Sequence, residues 1–357
     1  MTTITDATGN LLEADVDALV NTVNTVNTVG VMGKGLALQF KNAFPDNFKA
    51  YQKACKNAEV HPGKMFVFDA GMLTHPRWII NFPTKGHWRS RSRTHDIETG
   101  LGDLHRVIQE LGIMSIAIPP LGCGNGGLSW NDVRPMIEQG LQGLDIELLL
   151  YAPTGPPDAG NMVVVGERPK LTPGKAALVA VADSYDTFGF GTSLIEIQKL
   201  MYLLQETGEE LNLRYEAQRY GPYADNLRHV LKALEGHHLQ GFGDGSKRVR
   251  DAEPLEVLPG AAEEARQALT GNAKIRERLD RVLALAEGYE SPYGMELLAT
   301  VHWVASRVAR DPGDLPEIIE QVQSWSSRKS RMFTAEHITA AWKRLANQGW
   351  IGAAQPV

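Results

Sequence analysis

The sequence has little cysteine, no excess of positive charge and no long apolar run, and each shortage removes a class of protein. With Cys55 and Cys123 alone, neither a disulfide framework nor a four-cysteine metal site can be built, which excludes small secreted scaffolds and zinc ribbons. Lys and Arg total 36 against 42 Asp and Glu, a net charge of −6, so any contact with nucleic acid has to come from a local patch. No stretch approaches the roughly 20 apolar residues of a membrane span. The amino terminus, MTTITDATGN, has neither the basic nor the apolar region of a leader peptide. The expectation is a soluble, unprocessed chain in a reducing cytoplasm with no membrane partner. His237 and His238 are adjacent and lack a third ligand at metal spacing, so neither a metal nor a cofactor is expected.

At 357 residues the chain suggests two domains. The apolar runs DALVNTV, KMFVFDA, RWIINF, SIAIPPL and IELLLYAP alternate with the amphipathic segments GLALQFKNAFPDNFKAYQKAC, IETGLGDLHRVIQELG and WNDVRPMIEQGL. That alternation predicts a layered α/β domain over 1–155. TGPPDAGN then breaks the pattern and places a linker over 156–171. Beyond it, Leu194, Ile197, Leu200, Met201 and Leu204 recur at helical spacing, and 172–357 reads as mainly α. Further helices are predicted in YADNLRHVLKALEG after Pro222, AAEEARQAL, IRERLDRVLALAEG, GMELLATVHWVASRV and AEHITAAWKRLANQG, the last with Thr334 as N-cap. Trp303, Trp325 and Trp342 fall in helical segments and read as core or partner interface.

Two glycine-rich turns follow apolar strands and precede helices. One runs from Asp17 to Gly35, DALVNTVNTVNTVGVMGKG, and the other from Pro119 to Gly127, PPLGCGNGG. Turns of this kind bring backbone N–H groups and a helix N-terminus to an anion, and two facing each other would clamp a diphosphate. Glycine as mere turn punctuation is the plainer reading. The first turn is no P-loop, because Gly35 stands where Ser or Thr would hold magnesium. Its glycines fall as GxxGxG rather than GxGxxG, which disfavours a nicotinamide dehydrogenase.

GNLLEADVDALVN with GVMGKG, INFPTKGHWR and PPLGCGNGGL resembles the macrodomains, three-layer α/β/α folds with a mixed sheet that bind ADP-ribose. Within them the chain is similar to the DarG-type antitoxins, which remove ADP-ribose placed on DNA by a partner toxin of the DarT type. EIQKLMYL, RYGPYADNLRHVL and SPYGMELLATVHWVA resemble the toxin-neutralising region of the same antitoxins, and more loosely the SocA-like antitoxin domain. The resemblance implies that Asn10, Leu11, Gly30, Val31, Gly33 and Gly35 bind ADP-ribose from one side. From the other it implies Pro120, Leu121, Gly122, Cys123, Gly124, Asn125 and Gly126. It departs from the family in two places. Three NTV steps stand where two are usual, so counting back from Gly30 makes Asn27 the ribose-contacting asparagine and counting forward from Asp17 makes it Asn24, with Asn21 preceding both. The added residues have to be absorbed at the strand end or in the loop, since a shift inside a strand reverses every facing beyond it. Asn10 takes the place of the acid that accepts a bond from the adenine amino group, and its amide oxygen can still accept one.

INFPTKGHWRSRSRTH carries Lys85, Arg89, Arg91 and Arg93 among His87, Trp88 and His95, with no acid. Arginines for phosphates and Trp88 for an exposed base suit single-stranded DNA, the alternative being a solvated basic loop. His87, Trp88, Arg89, Arg91 and Arg93 are the candidate DNA contacts. Lys85 follows Pro83 and Thr84 at a strand end, where burial would lower its pKa, and it aligns with the lysine implicated in catalysis in DarG-like macrodomains. It would either attack the anomeric carbon or its ring-opened aldehyde, or orient a water. Cys123 has no recognisable cysteine-hydrolase partner and reads as a small loop residue.

The leading expectation is a hydrolase of the bond between ADP-ribose and a DNA base, the resemblance leaning towards thymidine, fused to a domain that binds the toxin. The alternatives are a non-catalytic ADP-ribose reader, a hydrolase of protein-linked or acetylated ADP-ribose, and a toxin-binding chain with a vestigial macrodomain. Charge mimicry of DNA by the second domain would need an acidic face such as Glu206, Glu209 and Glu210.

Overall fold

Along each apolar run of the first half, alternate residues bury on opposite faces, as period-two strands covered on both sides require. The computed structural model describes residues 2–24, 30, 32–71, 75–85, 91–124, 126–153, 162–165, 167–186, 189–249 and 251–351, except for the side chain of Asn24. It forms two compact units, Met1–Glu167 with Asp244–Ser246, and Arg168–Gly243 with Lys247–Val357. The division at Glu167 falls inside the stretch read as a linker. Val163 packs on the first unit's core, and the Val165 amide donates to the Asn42 carbonyl.

In the first unit, β1 (Thr3–Ala7), β2 (Ala18–Asn24), β3 (Phe66–Asp69), β4 (Trp78–Lys85), β5 (Ser115–Ile118) and β6 (Glu147–Tyr151) form a six-stranded sheet. Its order is β1-β6-β5-β2-β4-β3, and only β3 against β4 is antiparallel. The helices are α1 (Leu36–Ala43), α2 (Pro45–Lys56), α3 (Thr94–Leu111) and α4 (Trp130–Gly140). Ala18, Val20, Ile80, Phe82, Ile116 and Ile118 face Ile97, Leu101 and Leu104 of α3 and Val133 and Ile137 of α4. The opposite face, including Leu19, Ile79 and Ala117, packs on Leu11, Leu12 and Phe40, and Val23 packs with Tyr51, Ala54 and Cys55 of α2. The result is the three-layer α/β/α arrangement with a mixed sheet.

Two local expectations are corrected. The single amphipathic segment 35–55 is two helices, because Pro45 occupies a first-turn position and leaves Phe44 at φ −129°, ψ 71°. β1 was invisible as an apolar run because TITDA is exposed at four of its five positions; it is held by backbone pairing to β6 and by the Thr2 hydroxyl bonding the Leu141 and Leu144 carbonyls at 3.1 and 2.7 Å.

The second unit contains α5 (Pro173–Tyr185), α6 (Leu194–Glu206), the hairpin β7 (Tyr215–Gln218) and β8 (Gly221–Ala224), α7 (Leu227–Leu234), the short pair β9 (Leu239–Gln240) and β10 (Glu256–Val257), α8 (Ala261–Ala268), α9 (Ala273–Ala286), α10 (Pro292–Arg307), α11 (Leu315–Ser324), α12 (Ser327–Met332) and α13 (Ala335–Asn347). It is mainly α, and Thr334 caps α13 by accepting the His337 amide. α6 opens on a capping box between Ser193 and Glu196. YADNLRHVLKALEG does not begin as helix: Tyr223 and Ala224 belong to β8, and α7 starts at Leu227. The EIQKLMYL segment accounts for this. Gln198 exchanges two bonds of 3.0 Å with the backbone of Ala224, and the Lys199 ammonium donates to the Pro222 carbonyl at 2.6 Å. One helix thereby satisfies the outer edge of β8, at which Pro222 has no N–H to leave unpaired.

Of the three acids suggested for an acidic face, Glu206 pairs with Arg307 and Glu209 with Arg278, while Glu210 is exposed. Trp325 and Trp342 donate to the Gln218 and Pro312 carbonyls, while Trp303 packs at the core margin under Arg307. His238 is buried beside Glu264. Among the described residues no cluster of His, Cys, Asp or Glu could hold a metal ion.

Candidate active site

The carboxyl ends of β2, β4 and β5 lie side by side, because these strands are mutually parallel neighbours. From β2 the chain runs to the edge strand β3 and back to β4 on one side, while β5 lies on the other, a topological switch point of the kind where α/β sheets bind ligands. β4 ends at Lys85, β2 ends at Asn24, and Lys85 is the register partner of Asn24. A register shift between Val23 and Asn24 puts the irregularity of the asparagine-rich segment at the strand end, where it leaves the facing of the sheet intact. Thr84 ties the two ends together through a 3.3 Å bond from its hydroxyl to the Val23 carbonyl.

Lys85 is 7% exposed, and burial holds its pKa below the ordinary lysine value of 10.5. Below it the sheet carries a chain of buried amides. Asn21 donates to the Asn81 Oδ1 at 2.9 Å, and Asn81 donates to the Asn47 Oδ1 at 2.7 Å and to the Phe66 carbonyl at 3.2 Å. Asn21 is therefore an internal brace between β2 and β4, which leaves Asn24 and Asn27 as the ribose candidates. Asn81 and Asn47 were not singled out from sequence; the available signal was an asparagine inside the apolar run RWIINF.

The glycines of the two turns have different reasons to be glycine. Gly30 has φ +54°, and a Cβ there would sit 3.0 Å from the Gln52 Cα and 3.1 Å from the Cys55 Cβ, so α2 excludes a side chain. Gly35 has φ +61° and leads into α1, whose first-turn amides of Leu38 and Gln39 return to its carbonyl. In the second turn the Cys123 amide bonds the Pro120 carbonyl, Gly127 bonds Gly124, and Leu128 bonds Gly122. A Cβ on Gly126 would lie 2.3 Å from both the Gly122 carbonyl oxygen and the Ser92 hydroxyl, whereas one on Gly124 would meet nothing within 4 Å. Gly124 and Gly127 are both exposed, and a Cβ on either would meet nothing within 4 Å.

Leu121 is fully buried in the sheet core and Leu11 packs under the loop after β1, so their side chains hold the loops and only their backbones could meet a ligand. The Asn10 Oδ1 accepts the Leu12 amide at 3.1 Å and caps the 3-10 turn Leu11–Glu13. The Cys123 thiol donates to the Leu121 carbonyl at 3.5 Å. Burial, with Asp132 nearby, pushes its pKa up to about 11, which keeps it protonated and unreactive at neutral pH.

Arg91 and Arg93 are exposed on either side of Ser92, whose amide bonds the Gly126 carbonyl at 3.0 Å. Ser92 thus joins the end of the basic run to the second glycine turn. Asn27, Val31, His87, Trp88, Arg89 and Asn125 lie outside the described residues.

The Macro domain family profile matches residues 23–137. The DNA ADP-ribosyl glycohydrolase of Thermus aquaticus is 47% identical over 343 residues, spanning 96% of this chain and 92% of its own. That of Mycobacterium tuberculosis is 43% identical over 359 residues, spanning 96% and 99%. A DNA ADP-ribosyl transferase-DNA ADP-ribosyl glycohydrolase fusion protein of Thermosipho africanus is 39% identical over 149 residues, spanning 38% of this chain and 37% of its own. Identity at this level over nearly the whole of both chains, with a macrodomain sheet and a buried lysine at its switch point, places the chain: it belongs to the DNA ADP-ribosyl glycohydrolase family.

Proposed function

We propose that the chain removes ADP-ribose from DNA bases, thymidine in the first instance, by hydrolysing the bond between the ribose anomeric carbon and the base nitrogen, and that its second unit binds and restrains the ADP-ribosyltransferase toxin that makes the modification. The observation that carries the first part is Lys85, a buried amine with a lowered pKa at the joined ends of β2 and β4. A lowered pKa enlarges the neutral fraction of the amine, the form able to take a proton or attack carbon. The glycine turns supply the diphosphate contacts, Asn10 accepts from the adenine amino group, and Asn24 or Asn27 meets the ribose. His87, Trp88, Arg89, Arg91 and Arg93 hold the single strand.

Two routes use the same amine. In one, neutral Lys85 takes a proton from water as the oxygen bonds to the anomeric carbon and the base leaves with its bonding pair, to be protonated at nitrogen. In the other, Lys85 itself bonds to that carbon, the base leaves, and water then releases the ribose. Borohydride trapping separates them, since only the second passes through a reducible lysine-linked sugar.

The toxin-binding part is supported by the near full-length relatives, which extend across both units, and by the fusion protein that joins a DNA ADP-ribosyl transferase to a glycohydrolase. The test is release of ADP-ribose from a single-stranded oligonucleotide modified on thymidine, beside guanosine-modified and protein-linked substrates. Release from the thymidine oligonucleotide alone supports the reading. Binding of ADP-ribose without release would leave a reader, and preference for the protein substrate would move the activity off DNA.

A further inference from the structure

The hairpin of the second unit is satisfied along one edge and open along the other. Its two strands form a sheet of their own, paired Gln218 to Gly221, Ala217 to Pro222, Glu216 to Tyr223 and Tyr215 to Ala224. Because Pro222 has no N–H, positions 217 and 222 are a non-hydrogen-bonded pair, and the ladder bonds run through 216 with 223 and 218 with 221. Consistently, the Arg214 amide turns inwards to the Asn226 Oδ1 at 3.0 Å, and the outward groups of β8 end on Gln198 and Lys199.

By the same alternation the N–H and C=O of Tyr215 and Ala217 point away from β8. Among the described residues no hydrogen bond reaches them, and Glu216, Ala217 and Gln218 are exposed. An open edge of this kind is a template for another strand, and proteins normally cover or charge it. Beside it lies a cleft of about 680 Å³ lined by Arg214, Glu216 and Gln218, alternate residues of one strand face, and by Arg219, Tyr223 and His229. The guanidiniums of Arg214 and Arg219 have no carboxylate partner among the described residues, whereas Glu216 accepts from Gln218 at 3.4 Å.

We propose that β7 takes an extended segment of the toxin as a third strand, with acidic side chains of that segment lying in the cleft against Arg214 and Arg219. This rests on the toxin-binding reading and gives it a surface. Alternating main-chain donors and acceptors complement a polypeptide backbone and have no counterpart in a phosphate chain. A strand added at the edge places every second side chain over the cleft, which is where the two unpaired guanidiniums select for acid.

The test uses the full chain and the toxin. Ala217→Pro removes an edge donor without touching the β7 ladder and should weaken toxin binding by about tenfold, as the loss of edge pairing implies, with the melting temperature unchanged. Arg214→Glu should weaken it comparably without altering the backbone. Hydrogen exchange should show the Tyr215 and Ala217 amides fast in the chain and slow in the complex. Wild-type affinity in both variants, with those amides still fast in the complex, overturns the docking surface while leaving toxin binding intact. Failure of the wild-type chain to bind the toxin overturns both readings, and competition for this cleft by unmodified single-stranded DNA, lost in Arg214→Glu, would assign it to nucleic acid.

Discussion

Lys85 and Asn81 stand four residues apart on β4 and do opposite things with burial. Lys85 takes from it a lowered pKa. The rate should therefore rise with pH as the ammonium loses its proton, and it should level off below the pH at which an exposed lysine would titrate. A pH profile of single turnover checks this. Lys85→Arg should be as inactive as the alanine variant, because a guanidinium stays protonated. Asn81 takes from burial an obligation to be satisfied, which it meets by bonding Asn21, Asn47 and the Phe66 carbonyl. Asn81→Ala strips those partners at once, and an unfolding titration should show a loss of about 1 to 3 kcal/mol, the range for a buried polar group left unpaired. Lys85 was legible in sequence from its place in INFPTKGHWR. Asn81, in the same segment, was not, because an amide in an apolar run shows its partners only once β2 and α2 are folded against it.

At the level of elements, the two glycine turns divide into positions closed by the protein and positions left open, Gly124 and Gly127. A Cβ on Gly124 meets nothing within 4 Å, and Gly124→Val should fold normally while weakening ADP-ribose binding, measured by calorimetry. Gly126→Ala would collide with the Gly122 carbonyl at 2.3 Å and should disturb the turn itself, lowering the melting temperature as well as the affinity. The clamp of α6 on β8 has its own signature in pH. Burial lowers the pKa of Lys199 to about 7 and that of Lys329 to about 8, the latter beside Glu296 at 2.7 Å. In the unfolded chain both lysines keep their protons to higher pH, so unfolding takes up protons above pH 7 and stability should rise as pH climbs from about 7 towards 9. Calorimetry of the full chain should show that rise, and Lys199→Met should make it shallower, leaving the part due to Lys329. The strands of the first unit were readable because five of them are apolar runs. β1 and the hairpin β7–β8 were not, since one is an exposed edge and the other is held by Gln198 and Lys199, whose spacing in EIQKLMYL looks like ordinary helix.

For the whole molecule, the machinery proposed for chemistry belongs to the first unit and the toxin-docking edge to the second, so the two activities should separate by mutation. A chain carrying Lys85→Ala should still bind the toxin, and one carrying Ala217→Pro should still release ADP-ribose. The asparagine assignment and the DNA grip depend on Asn27 and on His87, Trp88 and Arg89, which a complex with a modified oligonucleotide would place directly. The central claim is that Lys85 performs the chemistry and the glycine turns perform the binding. It is tested most directly by measuring ADP-ribose release from a thymidine-modified single strand, together with ADP-ribose affinity, for the wild-type chain and for Lys85→Ala. The wild type should release ADP-ribose and the variant none, with closely similar affinities. Release by Lys85→Ala at the wild-type rate, or loss of affinity in step with loss of rate, would contradict it.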